Sequence, residues 1–151
     1  MNPLHKILLQ LENHIPNLEK TNSRVSNSTI GWQIDHCLLV INGVIGQVEI
    51  SNPTEFKSKF NFNRLIVFTT GKIPRGKIRA PKMVTPISIA TAEELKSNIE
   101  IAKNKVSKLN NLPKNSFFKH PYFNDLNVKQ TEKFLAIHTK HHLKIIEDIL
   151  K

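Results

Sequence analysis

The sequence has little cysteine, few aromatic residues and no long apolar run. A single cysteine, Cys37, among 151 residues excludes an internal disulfide and agrees with a reducing compartment. The longest uninterrupted apolar run, residues 37–41, is far shorter than the roughly 20 residues that cross a bilayer. The N-terminus reaches the charge of Lys6 before any apolar region of secretory length. We therefore expect a cytoplasmic protein without a membrane segment.

Acidic residues are also scarce. Twelve Asp and Glu stand against 22 Lys and Arg, which gives a formal charge of +10 and favours anionic partners. Hydrophobic residues make up 39% and charged residues 23%, as in an ordinary globular protein. A chain of this length buries about 70% of its unfolded surface. We expect one domain over residues 1–151 that folds without a disulfide or metal staple.

Apolar residues at helical spacing, together with capping residues, predict four long helices. Their predicted bounds are 2–18, 28–49, 91–113 and 127–151. The third begins with the capping box Thr91–Glu94, and Asn127 with Gln130 forms the same pattern at the start of the fourth. No strand alternation stands out, so the sequence predicts an all-α four-helix bundle, in which ligand sites are built from side chains on facing helices.

Three further segments lie between these helices. Residues 56–70 fit a helix or a short strand, and we favour the helix. Residues 70–90 contain three prolines and two glycines, which predicts a long ordered loop between the middle helices. Residues 114–126 are expected to be a plain connector.

Two histidines of the last helix are predicted to face the interior. On a wheel at about 100° per residue, His138 and His142 lie within the apolar stripe, whereas the lysines lie opposite. Residues four apart on a helix have Cβ atoms about 5–6 Å apart, so both imidazoles can reach one ion. An isolated pair of this kind is more often two core histidines bonded to ordinary neighbours.

A third histidine comes from the second helix. His36 is expected to face inward, on a line continued by Gly43, whose small size would leave space beside the imidazole. Three neutral histidines on facing helices would form a metal site with one position open for water or a substrate thiol. Zinc is the first choice, and nickel, iron, manganese and copper are alternatives that the sequence does not separate.

Motifs in four places make the sequence resemble the DinB-like superfamily. They are GWQIDHCL at 31–38, TGKIPRG at 70–76, HPYFNDL at 120–126 and IHTKHHL at 137–143. The resemblance covers nearly the whole chain. Within the superfamily, the sequence more narrowly resembles a branch known only as a domain of unknown function. One departure is Asn124, where the pattern has glycine, although asparagine also adopts a left-handed turn conformation.

The resemblance implies a four-helix bundle, often a homodimer, with a divalent metal held by His36, His138 and His142. Relatives of known chemistry include bacillithiol transferases and a mycothiol-dependent maleylpyruvate isomerase, and others are described as metal-dependent hydrolases. The implied function is therefore metal-dependent hydrolysis or thiol-dependent transfer. The implied partners are a low-molecular-weight thiol and a small anionic or thiol-containing substrate.

Five residues near these motifs have both a functional and a structural interpretation. Cys37 is expected to be a small core residue rather than a nucleophile, and Trp32 to be core packing. Asp35 can act as a general base or orient His36, or it can be an exposed carboxylate. His141 can bond to a ligand histidine or face solvent. His120 is expected in a surface turn.

The segment Lys57–Lys82 supports a rival function, because it holds eight basic residues and no acidic one. Such a loop can bind phosphate backbones in a salt-dependent way. Phe60, Phe62 and Phe68 stand in apolar contexts, however, and no helix-turn-helix, zinc-finger or RNA-recognition signature is present. Polyanion or nucleic-acid binding is thus the alternative function, beside a noncatalytic helical bundle. If the loop borders the metal, Arg75 would instead steer a small anionic substrate.

Overall fold

The computed structural model describes residues 2–76 and 79–151, which form five helices and one two-stranded sheet. The helices are α1 (Pro3–Asn13), α2 (Ile30–Ile50), α3 (Phe62–Thr70), α4 (Ala92–Leu109) and α5 (Val128–Ile149), and the strands are β1 (Phe117–His120) and β2 (Asn124–Asn127). The protein is mainly helical, as predicted. Within the described ranges, every helix is too short or too polar to cross a bilayer.

The four long helices share one hydrophobic core. α2 contacts both α4 and α5, and α1 packs against the same two helices. Fully buried side chains come from each of them, for example Leu8, Ile41, Ile99 and Leu135. α2 buries residues around most of its circumference, which agrees with its nearly continuous apolar sequence.

Side-chain caps begin the helices where the sequence predicted them. The capping boxes of α4 and α5 are both formed, with Thr91 and Asn127 as the N-caps. The first helix is shorter than predicted, because α1 ends at Asn13 and a separate 3-10 turn, Ile15–Asn17, follows. Pro16 explains the difference, since its ring carries no N–H for the helical hydrogen bond and clashes with the preceding turn.

The segment between α2 and α4 contains the predicted short helix and the predicted loop. α3 ends at Gly71, whose φ of 64° is a left-handed cap that favours glycine. The loop then has only a short 3-10 turn, Lys82–Val84, in its described part. Arg75 joins the loop to α5 through an ion pair of 2.9 Å with Asp148. Lys77 of the basic segment lies outside the described residues.

The expectation of a plain connector over residues 114–126 was wrong, because a β-hairpin lies there. β1 pairs antiparallel with β2, so that Phe117 faces Asn127 and His120 faces Asn124. Two strands of four residues are too short to show a clear alternation of polar and apolar positions. Asn124 has a φ of 62°, so it adopts the left-handed conformation predicted for it.

The side chain of His120 stabilises the turn of this hairpin through hydrogen bonds to its backbone. Its Nδ1 accepts hydrogen bonds from the backbone N–H groups of Tyr122 and Phe123, at 3.0 and 3.1 Å. Its ring also stacks on that of Phe123, with 4.2 Å between the centroids. His120 is half-buried, rather than on the surface as expected, and burial lowers the pKa of its imidazole to about 4.

Acid is therefore expected to weaken the hairpin through His120. The folded state binds fewer protons than the unfolded state between pH 4 and about 6.5, so the free energy of unfolding falls as the pH is lowered through that range. The His120 contribution to that fall is up to about 3 kcal/mol. His120→Asn offers a side-chain oxygen to the same N–H groups and does not titrate. Urea unfolding at several pH values is expected to show a shallower fall for His120→Asn, and parallel curves would contradict the role of His120.

Candidate metal centre

Three imidazoles meet where α2 packs against α5. His36 projects from α2, while His138 and His142 project from successive turns of α5. The ring centroids of His36 lie 5.1 Å from His138 and 4.6 Å from His142, and those of His138 and His142 lie 4.7 Å apart. The structure thus brings together the three histidines that the sequence singled out, although His36 lies about a hundred residues before the other two.

Each ring contributes one nitrogen to a compact group of candidate ligand atoms. The three candidate ligand atoms all lie within 4.8 Å of one another, close enough to hold a metal ion. The Nε2 atoms of His36 and His138 are 3.2 Å apart. Two nitrogens that each lie 2.0–2.1 Å from a tetrahedral zinc ion are about 3.3 Å apart. The spacing of this pair therefore fits an ion bound between them.

The polypeptide fixes the proton position on two of the three rings. Nδ1 of His36 lies 2.6 Å from the carbonyl oxygen of Val84, in the loop between α3 and α4. Nδ1 of His142 lies 2.6 Å from the side-chain oxygen of Gln33, on α2. Both oxygens accept only, so each Nδ1 must carry the proton and each Nε2 keeps its lone pair. This is the tautomer in which Nε2 binds a metal.

His138 differs from the other two rings. Its Nδ1 is buried and forms no hydrogen bond with any residue of the described ranges. The neutral His36 ring has one N–H group, which donates to the carbonyl of Val84. In the metal-free chain, the 3.2 Å hydrogen bond between the two Nε2 atoms therefore needs His138 to be the donor. Nδ1 of His138 is then a buried acceptor without a partner, which is costly. An ion would remove the need for the imidazole–imidazole hydrogen bond.

Burial keeps all three rings neutral. It lowers the pKa of His142 to about 2, and His36 and His141 lower it further because a proton on either ring would repel one on His142. It lowers the pKa of His138 well below the usual value, with His142 and His36 as the next causes. The pKa of His36 is lowered by burial as well, although the hydrogen bond to Val84 opposes the shift. Neutral imidazole is the form that binds metals.

Trp32 connects this cluster with a surface cleft. Its ring stacks on His36, with centroids 5.1 Å apart and planes 12° apart. Trp32 also lines a cleft of about 310 Å³ together with Asp35, Ile87 and Ile89. Burial, and then the charge of Glu94, raises the pKa of the Asp35 carboxyl. The expectation that Trp32 is only core packing is therefore incomplete, because its ring stacks on His36 and also lines the cleft.

The other candidate residues do not join the cluster. Cys37 is completely buried and burial raises the pKa of its thiol, which agrees with the core interpretation. His141 is half-buried beside His142, with ring centroids 5.1 Å apart. The second nitrogens of His36 and His142 bond to Val84 and Gln33, and that of His138 bonds to no described residue. The expectation for Gly43 was wrong: it is exposed and lies two turns from His36, so it leaves no space beside that ring.

Two partners of the imidazoles were not predicted. Gln33 lies three residues before His36 and therefore on the same face of α2, a spacing that could have indicated it. The carbonyl of Val84 carries no signal in the sequence, because any residue has one. Its position depends on how the loop folds over α2.

The chain matches no protein-family model, and neither a curated protein nor a solved structure shows significant similarity to it. The chemistry of the site therefore rests on its own geometry.

The bonding of His138 predicts how its replacement affects stability. His138→Leu removes a buried nitrogen without a partner but also removes the hydrogen bond to His36, and each effect is about 1 kcal/mol. We expect the free energy of unfolding in the presence of a chelator to change by less than about 1 kcal/mol. Excess zinc should stabilise the wild type and not the variant. Denaturant unfolding, carried out once with chelator and once with zinc, measures the effect of the substitution and the stabilisation by zinc. If His138→Leu lowered the free energy of unfolding in chelator by several kcal/mol, His138 would be mainly structural.

Proposed function

We propose that this protein binds a divalent metal ion through His36, His138 and His142, with zinc as the first choice. The observation that carries the proposal is the pair of Nε2 atoms at 3.2 Å. The oxygens of Val84 and Gln33 accept from Nδ1 of His36 and His142, which leaves the Nε2 lone pair of each ring free to bind an ion. A donor set of three imidazoles suits zinc, nickel, iron and copper, with manganese a less favoured alternative.

The sequence motifs support a finer assignment, to the DinB-like superfamily and its four-helix bundle. The packing of α1, α2, α4 and α5 around one core is consistent with such a bundle. On this proposal the protein is a metal-dependent hydrolase or a thiol-dependent transferase that uses a low-molecular-weight thiol. It acts in the cytoplasm, either alone or as a homodimer.

The proposed reaction assigns distinct tasks to the residues around the site. A divalent ion with three protein ligands supplies Lewis-acid chemistry and lowers the pKa of a group that joins it in a fourth position. Val84 and Gln33 accept hydrogen bonds from Nδ1 of His36 and His142, while Trp32 stacks on one side of His36. Arg75 is the residue proposed to attract a small anionic substrate, and its ion pair with Asp148 holds it beside α5.

Metal content tests the proposed site directly. Protein purified without a histidine tag is expected to carry a single zinc-class ion per chain, and His138→Ala is expected to lose nearly all of it because two imidazoles bind an ion weakly. His14→Ala, outside the cluster, is the matched control and should keep the metal. Elemental analysis after dialysis measures all three, and equal metal content in wild type and His138→Ala would overturn the site.

Trp32 gives an independent readout of the same event. It is the only tryptophan of the chain and stacks on His36. Cobalt or nickel bound at the cluster should quench its fluorescence, and chelator should restore it. A noncatalytic metal-stabilised bundle would show the same quenching but no turnover when zinc-loaded protein is given a small thiol and an electrophile.

A second function is favoured by one surface, which we call the α3 surface. It consists of Phe60, Phe62, Leu65, Ile66 and Tyr122. Phe60 is 77% exposed and Phe62 is 64% exposed, so these rings are not part of an apolar interior as the sequence had suggested. Asn61 joins the backbone of Tyr122 at 2.8 Å, which places the hairpin turn beside α3. Exposed aromatic rings among basic residues are typical of proteins that bind single-stranded nucleic acid.

Binding of labelled single-stranded DNA tests this second function. If the α3 surface binds nucleic acid, affinity should fall steeply with salt. The double variant Phe60→Ala/Phe62→Ala should bind at least about tenfold more weakly, because stacking contributes about 1–3 kcal/mol per base. Ile50→Ala, an exposed apolar control outside this surface, should bind like the wild type, as should His36→Ala. No binding at low salt, or equal binding by the double variant, would exclude this function.

A further inference from the structure

Gln33 is a buried amide whose oxygen meets a candidate metal ligand. Its side chain is 3% exposed, and its Oε1 lies 2.6 Å from Nδ1 of His142. Burying an amide in an apolar core is unfavourable unless both of its ends form hydrogen bonds. A leucine of similar size would pack there without that requirement. The amide therefore has a use other than packing.

The other end of the amide is also hydrogen-bonded, to the loop before α2. Nε2 of Gln33 donates to Oγ of Ser26 at 3.3 Å. The same Oγ accepts from the backbone N–H of Ser28 at 3.1 Å, so this hydroxyl is held by the loop before α2. Reversing the amide would turn its N–H₂ group toward the Nδ1 proton of His142. In the observed orientation an acceptor, and not a donor, faces the imidazole.

We propose that Gln33 is a positioning residue for the metal centre. By accepting a hydrogen bond from Nδ1–H of His142, it fixes the ring orientation and leaves the lone pair of Nε2 directed at the cluster. This role rests on the proposed metal-binding function and adds a residue to it. The carbonyl of Val84 does the same for His36, but a backbone group cannot be removed by substitution. Gln33 is therefore the position at which the effect of such an acceptor on metal binding can be tested.

Cobalt binding, followed by its visible absorption spectrum, separates positioning from packing. Gln33→Leu keeps the volume and removes the acceptor, and its cobalt affinity is expected to fall about 10–100-fold, the usual effect of losing such a partner. Gln33→Glu keeps an oxygen at the same place, so it should restore an affinity and a spectrum like those of the wild type. Gln47→Leu makes the same change at an exposed position of α2 and should have no effect.

The outcomes distinguish this role from the site itself. Wild-type protein that binds no cobalt would overturn both the metal site and the role of Gln33. Two results would overturn the role of Gln33 alone, provided that the wild type binds cobalt tightly. One is that Gln33→Leu binds cobalt as tightly as the wild type. The other is that Gln33→Glu binds it as weakly as Gln33→Leu.

A measurement on the unaltered chain applies even where Gln33→Leu fails to fold. Nitrogen NMR of the metal-free wild type should show His142 protonated at Nδ1 and unprotonated at Nε2. The opposite tautomer would overturn the proposal.

Discussion

Packing of α2 against α5 sets the positions of all three imidazoles, because His36 projects from one helix and His138 and His142 from the other. Neither helix holds the cluster alone. The i,i+4 pair on α5 provides two nitrogens on one face, and the third arrives only through the tertiary contact. The chemistry of the site is thus tied to the same apolar packing that stabilises the fold.

The cluster carries an energetic cost that ordinary core packing would avoid. Three neutral rings are buried together, and the two fixed tautomers leave His138 with a nitrogen that has no partner in the described ranges. Apolar side chains would fill this space without such a group. Residues kept at the expense of stability are common at functional sites, where local rules of folding are broken for chemistry.

Sequence patterns predicted the helical framework and the inward histidines well, because caps and apolar stripes are local features. Thr29, Thr91 and Asn127 mark helix starts through hydrogen bonds that span three residues. The contact of Val84 with His36 spans 48 residues and uses a backbone atom, so no residue pattern encodes it. The exposure of Phe60 and Phe62 was missed for a similar reason, since solvent contact depends on how α3 lies against the rest of the chain.

The hairpin has a geometric effect on the helix that follows it. Asn127 is the last residue of β2, where it pairs with Phe117, and it is also the N-cap of α5. The strand register therefore sets the angle at which the helix leaves the sheet. Adding or deleting one residue between the end of β2 and His138 would turn the downstream part of α5 by about 100°. Natural insertions and deletions should consequently be rare at this junction.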